Sequence, residues 1–227
     1  MYNINSKLME RYPGAVIAEG SQIAENCRVD ERCEISAEAV LKHNVVVCSN
    51  VHIIGKVLLD RSVMIRENAT LVGPLHIAES TIISHDSIIG ATREEEMSIN
   101  QETIIEKNCK IGKQVEINGG VNVGPYARIR SGSRVIGDVP QYGLASRSPA
   151  ILERFACPDC GGALYPKRKM SEILVVQCGQ CNQVELRFTI SVLTNTPNHV
   201  LLPNRALGNR VSTDGDDQRW LDEFEMH

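Results

Sequence analysis

The chain has 227 residues, 42% hydrophobic but 4% aromatic, with a formal charge of −4. That balance excludes a broad basic surface for nucleic acid or an anionic membrane, and no apolar run reaches the roughly 18 residues of a membrane span. The start of the chain lacks the basic-then-apolar layout of a secretory signal, so a cytoplasmic protein is expected, and its eight cysteines are expected as thiols or metal ligands rather than disulfides.

Residues 1–14 read as an N-terminal cap. From Ile17 every sixth residue is aliphatic: Ile17, Ile23, Val29, Ile35, Leu41, Val47, Ile53, Leu59, Ile65, Leu71, Ile77, Ile83, Ile89. The position two before each is mostly small, as in Ala15, Cys33, Val51, Ala69 and Ser87. Two residues apart on a short strand means one shared face, so both positions point inward. Repeats that cannot bury their own apolar face stack into a continuous core. The expected fold is therefore an all-β parallel coil, with three hexads to a turn and about seven turns, over residues 15–147. Cys27, Cys33 and Cys109 fall on the small interior positions and read as buried thiols. Cys48 has no place in the pattern.

The series stops at Glu95 and is read as resuming at Ile99, then Ile105, Ile111, Ile117, Val123, Ile129 and Val135. Residues 90–98 between them carry Arg93, Glu94, Glu95 and Glu96. A core does not accept four consecutive charges, so this segment is predicted to loop outward. Just before it stands Ile83-Ser84-His85-Asp86-Ser87, with His85 offset toward a corner.

After the repeat comes Asp138-Val139-Pro140 and then Ser148-Pro149-Ala150. Serine before proline is a helix-start signal, so a connecting helix is predicted over 148–156. Residues 157–191 hold Cys157-Pro158-Asp159-Cys160 and Cys178-Gly179-Gln180-Cys181, two knuckles separated by seventeen residues. That spacing fits four thiolates on one tetrahedral, structural Zn²⁺ in a zinc ribbon, with strands over 172–177 and 184–190. A unit this small lacks a sufficient core of its own. Lys167-Arg168-Lys169 reads as a solvated turn. Residues 192–227 form an irregular acidic tail in which Trp220, Leu221 and Phe224 suggest a docking segment.

The repeat over 15–137, with the Asp-Val-Pro exit, resembles the left-handed β-helix, hexapeptide-repeat acyltransferase family. The resemblance implies a left-handed coil, a homotrimer, and acetyl-CoA or another acyl-CoA as co-substrate for a small sugar-type acceptor. In that family a histidine just ahead of an extruded loop is the general base, and the match falls on His85, with Asp86 or a Glu of the loop to orient the imidazole. The loop would cover the acceptor. Coenzyme A would meet Gly112, Lys113, Gly124, Arg130 and Arg147. Lys113, Gln114 and Arg130 stand where the family usually has smaller residues, which suits the alternative of a non-catalytic scaffold that binds protein partners through the ribbon and tail. His43, His52 and His76 are read as weaker candidates; histidines converging between subunits would bind zinc, as in the carbonic anhydrases of this fold.

Overall fold

In a computed structural model, residues 5–91, 101–170 and 173–189 are described. They form a three-walled parallel β-solenoid followed by a small three-stranded sheet. The first wall stacks seven short strands: Val16–Ile17, Glu34–Ile35, His52–Ile54, Thr70–Val72, Ile88–Ala91, Glu116–Asn118 and Arg134–Val135. The second wall runs from Gln22–Ile23 to Asn122–Val123, and the third from Arg28–Val29 to Arg128–Ile129. The pairing register is eighteen residues per coil, with Ile17 beside Ile35, Ile35 beside Ile53, and Leu71 beside Ile53.

The interior is as the six-residue pattern predicts. Ile17, Leu59, Ile65, Leu71, Ile77, Ile83, Ile89 and Ile117 are fully buried, as are the small partners Ala15, Cys33, Val51, Ala69 and Ser87. Ile23 is the exception, half-buried in the lowest coil. At the N-terminal end the helix Ser6–Arg11, capped by the Asn5 side chain on the Leu8 N–H, packs against the core through Leu8, and Tyr12 donates its hydroxyl to the Cys27 carbonyl. Cys48 is buried and its carbonyl accepts the Cys33 thiol, which gives this cysteine a place the sequence pattern did not.

Three expectations need correction or restriction. The strand after Ile88–Ala91 on the first wall is Thr103–Ile105 on the second, where Ile105 pairs with Ile77. The described walls thus pass from Ile89 to Ile105, and Ile99, where the repeat was read as resuming, lies outside the described residues. The tip of the predicted loop, residues 92–98, lies outside the described residues.

The connecting helix is absent. Gly143–Ser146 forms a short strand on the third wall, but Ile151–Phe155 returns antiparallel to it as an edge strand. The helix-start signal is local; the open edge of a parallel sheet offers a row of unpaired N–H and C=O groups, and pairing with them wins. Leu152 packs between the solenoid core and the cluster below the cysteines, and Phe155 is buried there. A helix would point these two side chains differently.

The third correction is in the C-terminal sheet, which has three strands, Leu164–Met170, Ile173–Cys178 and Glu185–Thr189. Lys167 and Arg168 lie within the first of them and pair with Glu185 at 2.9 and 3.4 Å, so Lys167-Arg168-Lys169 belongs to a strand rather than a turn. No helix among the described residues is long and apolar enough to cross a membrane. The tail residues 192–227 lie outside the described residues.

Candidate active corner and four-cysteine cluster

The corner between the third and first walls repeats once per coil, and its shape dictates its residues. Arg32, Asn50, Asn68, Asp86 and Gln114 all take positive φ there, between 54 and 60°. Asparagine and aspartate tolerate this left-handed conformation better than other side chains with a Cβ. Three of them also form a ladder: Asn50 donates to Asn68 at 3.1 Å, and Asn68 to Asp86 at 3.0 Å. Asp86 is therefore a rung of the corner.

One position earlier, Glu67, His85, Lys113 and Ser131 stand above one another. The backbone fixes this column, since Asp86 N–H donates to the Glu67 carbonyl, Gln114 N–H to that of His85, and Gly132 N–H to that of Lys113. His85 Nδ1 lies 2.8 Å from Oε2 of Glu67, with the two side chains 37% and 40% exposed. The contact is an ion-pair distance; a carboxylate so placed would, on accepting Nδ1–H, fix the imidazole tautomer and leave Nε2 as the proton acceptor. The sequence singled out His85, with Asp86 or a glutamate of the 90–98 loop to orient it; the carboxylate the fold places at Nδ1 is that of Glu67. Glu67 was missed because it is one coil away; the eighteen-residue period itself was the signal that could have found it.

The other predicted cofactor residues divide. Gly112, Lys113 and Arg130 lie at this same corner in the coils above His85, whereas Gly124 follows the second wall and lies at a different corner. Both glycines are demanded by stacking. A Cβ on Gly112 would sit 2.5 Å from the Ser131 nitrogen, and one on Gly124 would sit 2.5 Å from that of Gln141. Arg130 is ion-paired to Glu153 at 3.0 Å, and Ser146 donates its hydroxyl to the same carboxylate. Lys113 and Arg147 are exposed.

The remaining histidines are apart. His52 lies on the first wall, 3.3 Å from Glu34, and His76 on the second, 3.0 Å from Asp60. His43 contacts Asn26 at 3.2 Å. The walls of this chain do not bring the three together.

The two knuckles do converge. The sulfurs of Cys157, Cys160, Cys178 and Cys181 all lie within 4.8 Å of one another, with Cys157 and Cys181 3.9 Å apart and Cys160 and Cys178 3.5 Å apart. A tetrahedron with Zn–S bonds of about 2.3 Å has edges of roughly 3.8 Å, so the donor set fits that ion. Backbone N–H groups aim at sulfur: Gly162 at Cys160 (3.4 Å), and Gln180 and Cys181 at Cys178 (3.4 and 3.5 Å). Burial pushes the Cys178 thiol up, but the Cys181 and Gln180 N–H groups and the Cys160 thiol outweigh it and hold it at about 6. Arg128 ties this cluster to the solenoid by donating to the carbonyls of Cys157 (3.3 Å) and Pro158 (3.0 Å).

Comparison with known proteins adds to this geometry. Residues 102–137 match the family model for the bacterial transferase hexapeptide, in six repeats. A stretch of 78 residues is 35% identical to dTDP-3-amino-3,6-dideoxy-alpha-D-galactopyranose 3-N-acetyltransferase from Aneurinibacillus thermoaerophilus, spanning 34% of this chain and 38% of that enzyme. Among solved structures, AntD, an N-acyltransferase from Bacillus cereus in complex with dTDP and 3-hydroxybutyryl-CoA, superposes with a TM-score of 0.46 at 14% identity, covering 67% of this chain and 89% of that one. The acetyltransferase domain of PglB from Neisseria gonorrhoeae gives 0.44 at 14% identity, covering 64% and 63%. Over residues 102–137, then, the chain carries the hexapeptide repeat of bacterial transferases.

Proposed function

We propose that this protein is an acyl-CoA-dependent O- or N-acyltransferase acting on a sugar-type acceptor, with His85 as general base. The observation that carries the reading is the His85–Glu67 contact at a solvent-facing corner, directly ahead of the break in the repeat. Nε2 of His85 takes the proton from the acceptor hydroxyl or amine as its oxygen or nitrogen attacks the thioester carbonyl. The tetrahedral intermediate then expels the coenzyme A thiolate, which regains that proton from the imidazolium. The products are acylated acceptor and free coenzyme A. The name of the Aneurinibacillus relative favours acetyl as the acyl group and a nucleotide-linked amino sugar as the acceptor.

In this reading the protein is a cytoplasmic homotrimer of left-handed β-helices. The large aliphatic side chains left exposed on the solenoid, Val16 (48%), Ile54 (52%), Ile88 (43%) and Ile136 (48%), all belong to the first wall or its continuation. His85 stands three residues before Ile88, at the rim of that wall, so a neighbouring subunit covering the wall would enclose the base. Lys113 and Arg147 meet the coenzyme A phosphates, with Arg130 supporting them from its pair with Glu153. Cys157, Cys160, Cys178 and Cys181 hold a structural Zn²⁺, whose chemistry is to lock two knuckles together.

Calorimetry with acetyl-CoA tests this function. Wild type and His85→Ala should both bind, and only wild type should turn over an amino-sugar nucleotide. No binding of acetyl-CoA or a longer acyl-CoA would leave the scaffold reading, which the commitment of Arg130 to Glu153 favours.

A further inference from the structure

Within the proposed acyl-transfer site, the identity of the group that orients the base is open to direct argument. An imidazole that serves as a base needs its second nitrogen held, because a ring free to rotate presents N–H and lone pair interchangeably. Two carboxylates are near His85 in the fold. Asp86 adjoins it in sequence, but its Oδ1 accepts from Asn68 at the top of the asparagine ladder, and its backbone holds the left-handed corner. Glu67 sits one coil below. Its carbonyl is fixed by the Asp86 N–H at 3.1 Å, and its Oε2 reaches His85 Nδ1 at 2.8 Å. From the other side, the His85 carbonyl is fixed by the Gln114 N–H at 2.9 Å. The backbone is therefore pinned above and below, leaving only side-chain rotation, which the carboxylate restrains.

We propose that Glu67 is the positioning residue of His85, holding its Nδ1–H so that Nε2 faces the acceptor. This rests on His85 being the base, but the geometry it asserts is separate from turnover. The column of Glu67, His85 and Lys113 then works as a unit read across three coils: carboxylate below, base in the middle, and the exposed Lys113 above.

The experiment is nitrogen-resolved NMR of the histidine ring in the full-length, ¹⁵N-labelled protein, with His85→Gln used to assign the signal. Wild type should show the Nδ1–H tautomer for neutral His85. Glu67→Ala should lose that tautomer while keeping the wild-type melting temperature, since the side chain is half-exposed. Its kcat should fall on the order of tenfold to a hundredfold, with the acyl-donor KM little changed. Glu67→Gln, whose amide oxygen still accepts from Nδ1–H, should restore the tautomer and much of the rate. Asp86→Asn should leave the tautomer as in wild type. A wild-type Nε2–H tautomer, or a Glu67→Ala ring indistinguishable from wild type, overturns the proposal. A tautomer that depends on Glu67 in a protein inactive toward every acyl-CoA would uphold the positioning and overturn acyl transfer instead.

Discussion

The solenoid and the cysteine-bearing sheet solve the same problem by opposite means. In the solenoid, each coil offers one large aliphatic and one small residue per wall, and stacking seven strands on the first wall multiplies that into a core whose single aromatic among the described residues is Tyr12, at the N-terminal end. In the C-terminal sheet the buried cluster is Phe155, Cys157, Leu164, Leu174, Val176 and Cys178, a third of it sulfur ligands. Repetition lets weak local contacts accumulate; a short sheet has no repeat to accumulate, and in the reading proposed above a Zn²⁺ on four sulfurs substitutes for missing apolar area.

The contrast is broken most directly by removing metal. Chelation should abolish protection of backbone amides over 157–189, since structural zinc contributes about 10–16 kcal/mol of apparent binding free energy in small units, while amides of the solenoid stay protected. Thiol labelling reads the same division: Cys157, Cys160, Cys178 and Cys181 should react after chelation. Cys109, pushed up to about 12 by burial, should stay unreactive until the solenoid unfolds. Loss of protection throughout would show one cooperative unit in place of two. The next effect belongs to the core. Leu71→Ala should cost about 2–5 kcal/mol in chemical denaturation, with no change in zinc content.

A smaller effect tests whether surface charge matters to the solenoid. Asp60 contacts Lys42 at 2.6 Å and His76 at 3.0 Å. Burial raises its pKa, but these two partners outweigh burial and hold it below the usual 3.8. A depressed carboxylate stabilises the fold above its unfolded-state value and loses that contribution as pH falls through the depressed one. Asp60→Asn should therefore cost about 0.5 kcal/mol at neutral pH, and its denaturation midpoint should converge on wild type in acid below 3.8. A constant gap across that range would assign the loss to packing.

What could be read from sequence follows the range of each interaction. The wall positions from Ile17 to Ile89 were legible because the same demand recurs every six residues. Ser148-Pro149-Ala150 misled because a helix-start signal is local, while the edge beside Gly143–Ser146 is tertiary. The four cysteines were legible from spacing alone, and they converge. The first strand of their sheet was not, because Lys167 and Arg168 look solvated until Glu185 arrives from the third strand. At the candidate corner, His85 was visible and its contact with Glu67 was not, because a chain neighbour was weighed where the eighteen-residue stacking brings a vertical one.

The reversed strand Ile151–Phe155 has a consequence for length. A stack of identical storeys carries no information about when to stop, and each exposed top is a template for the next floor. By running against the direction of every strand beneath it on the third wall, this segment makes a roof there that the pattern cannot extend. The number of floors is thus set by where the chain turns back. Whole eighteen-residue storeys can be inserted or deleted in the lower part of the building, and the tower's height changed, with the roof and everything mounted on it carried along intact.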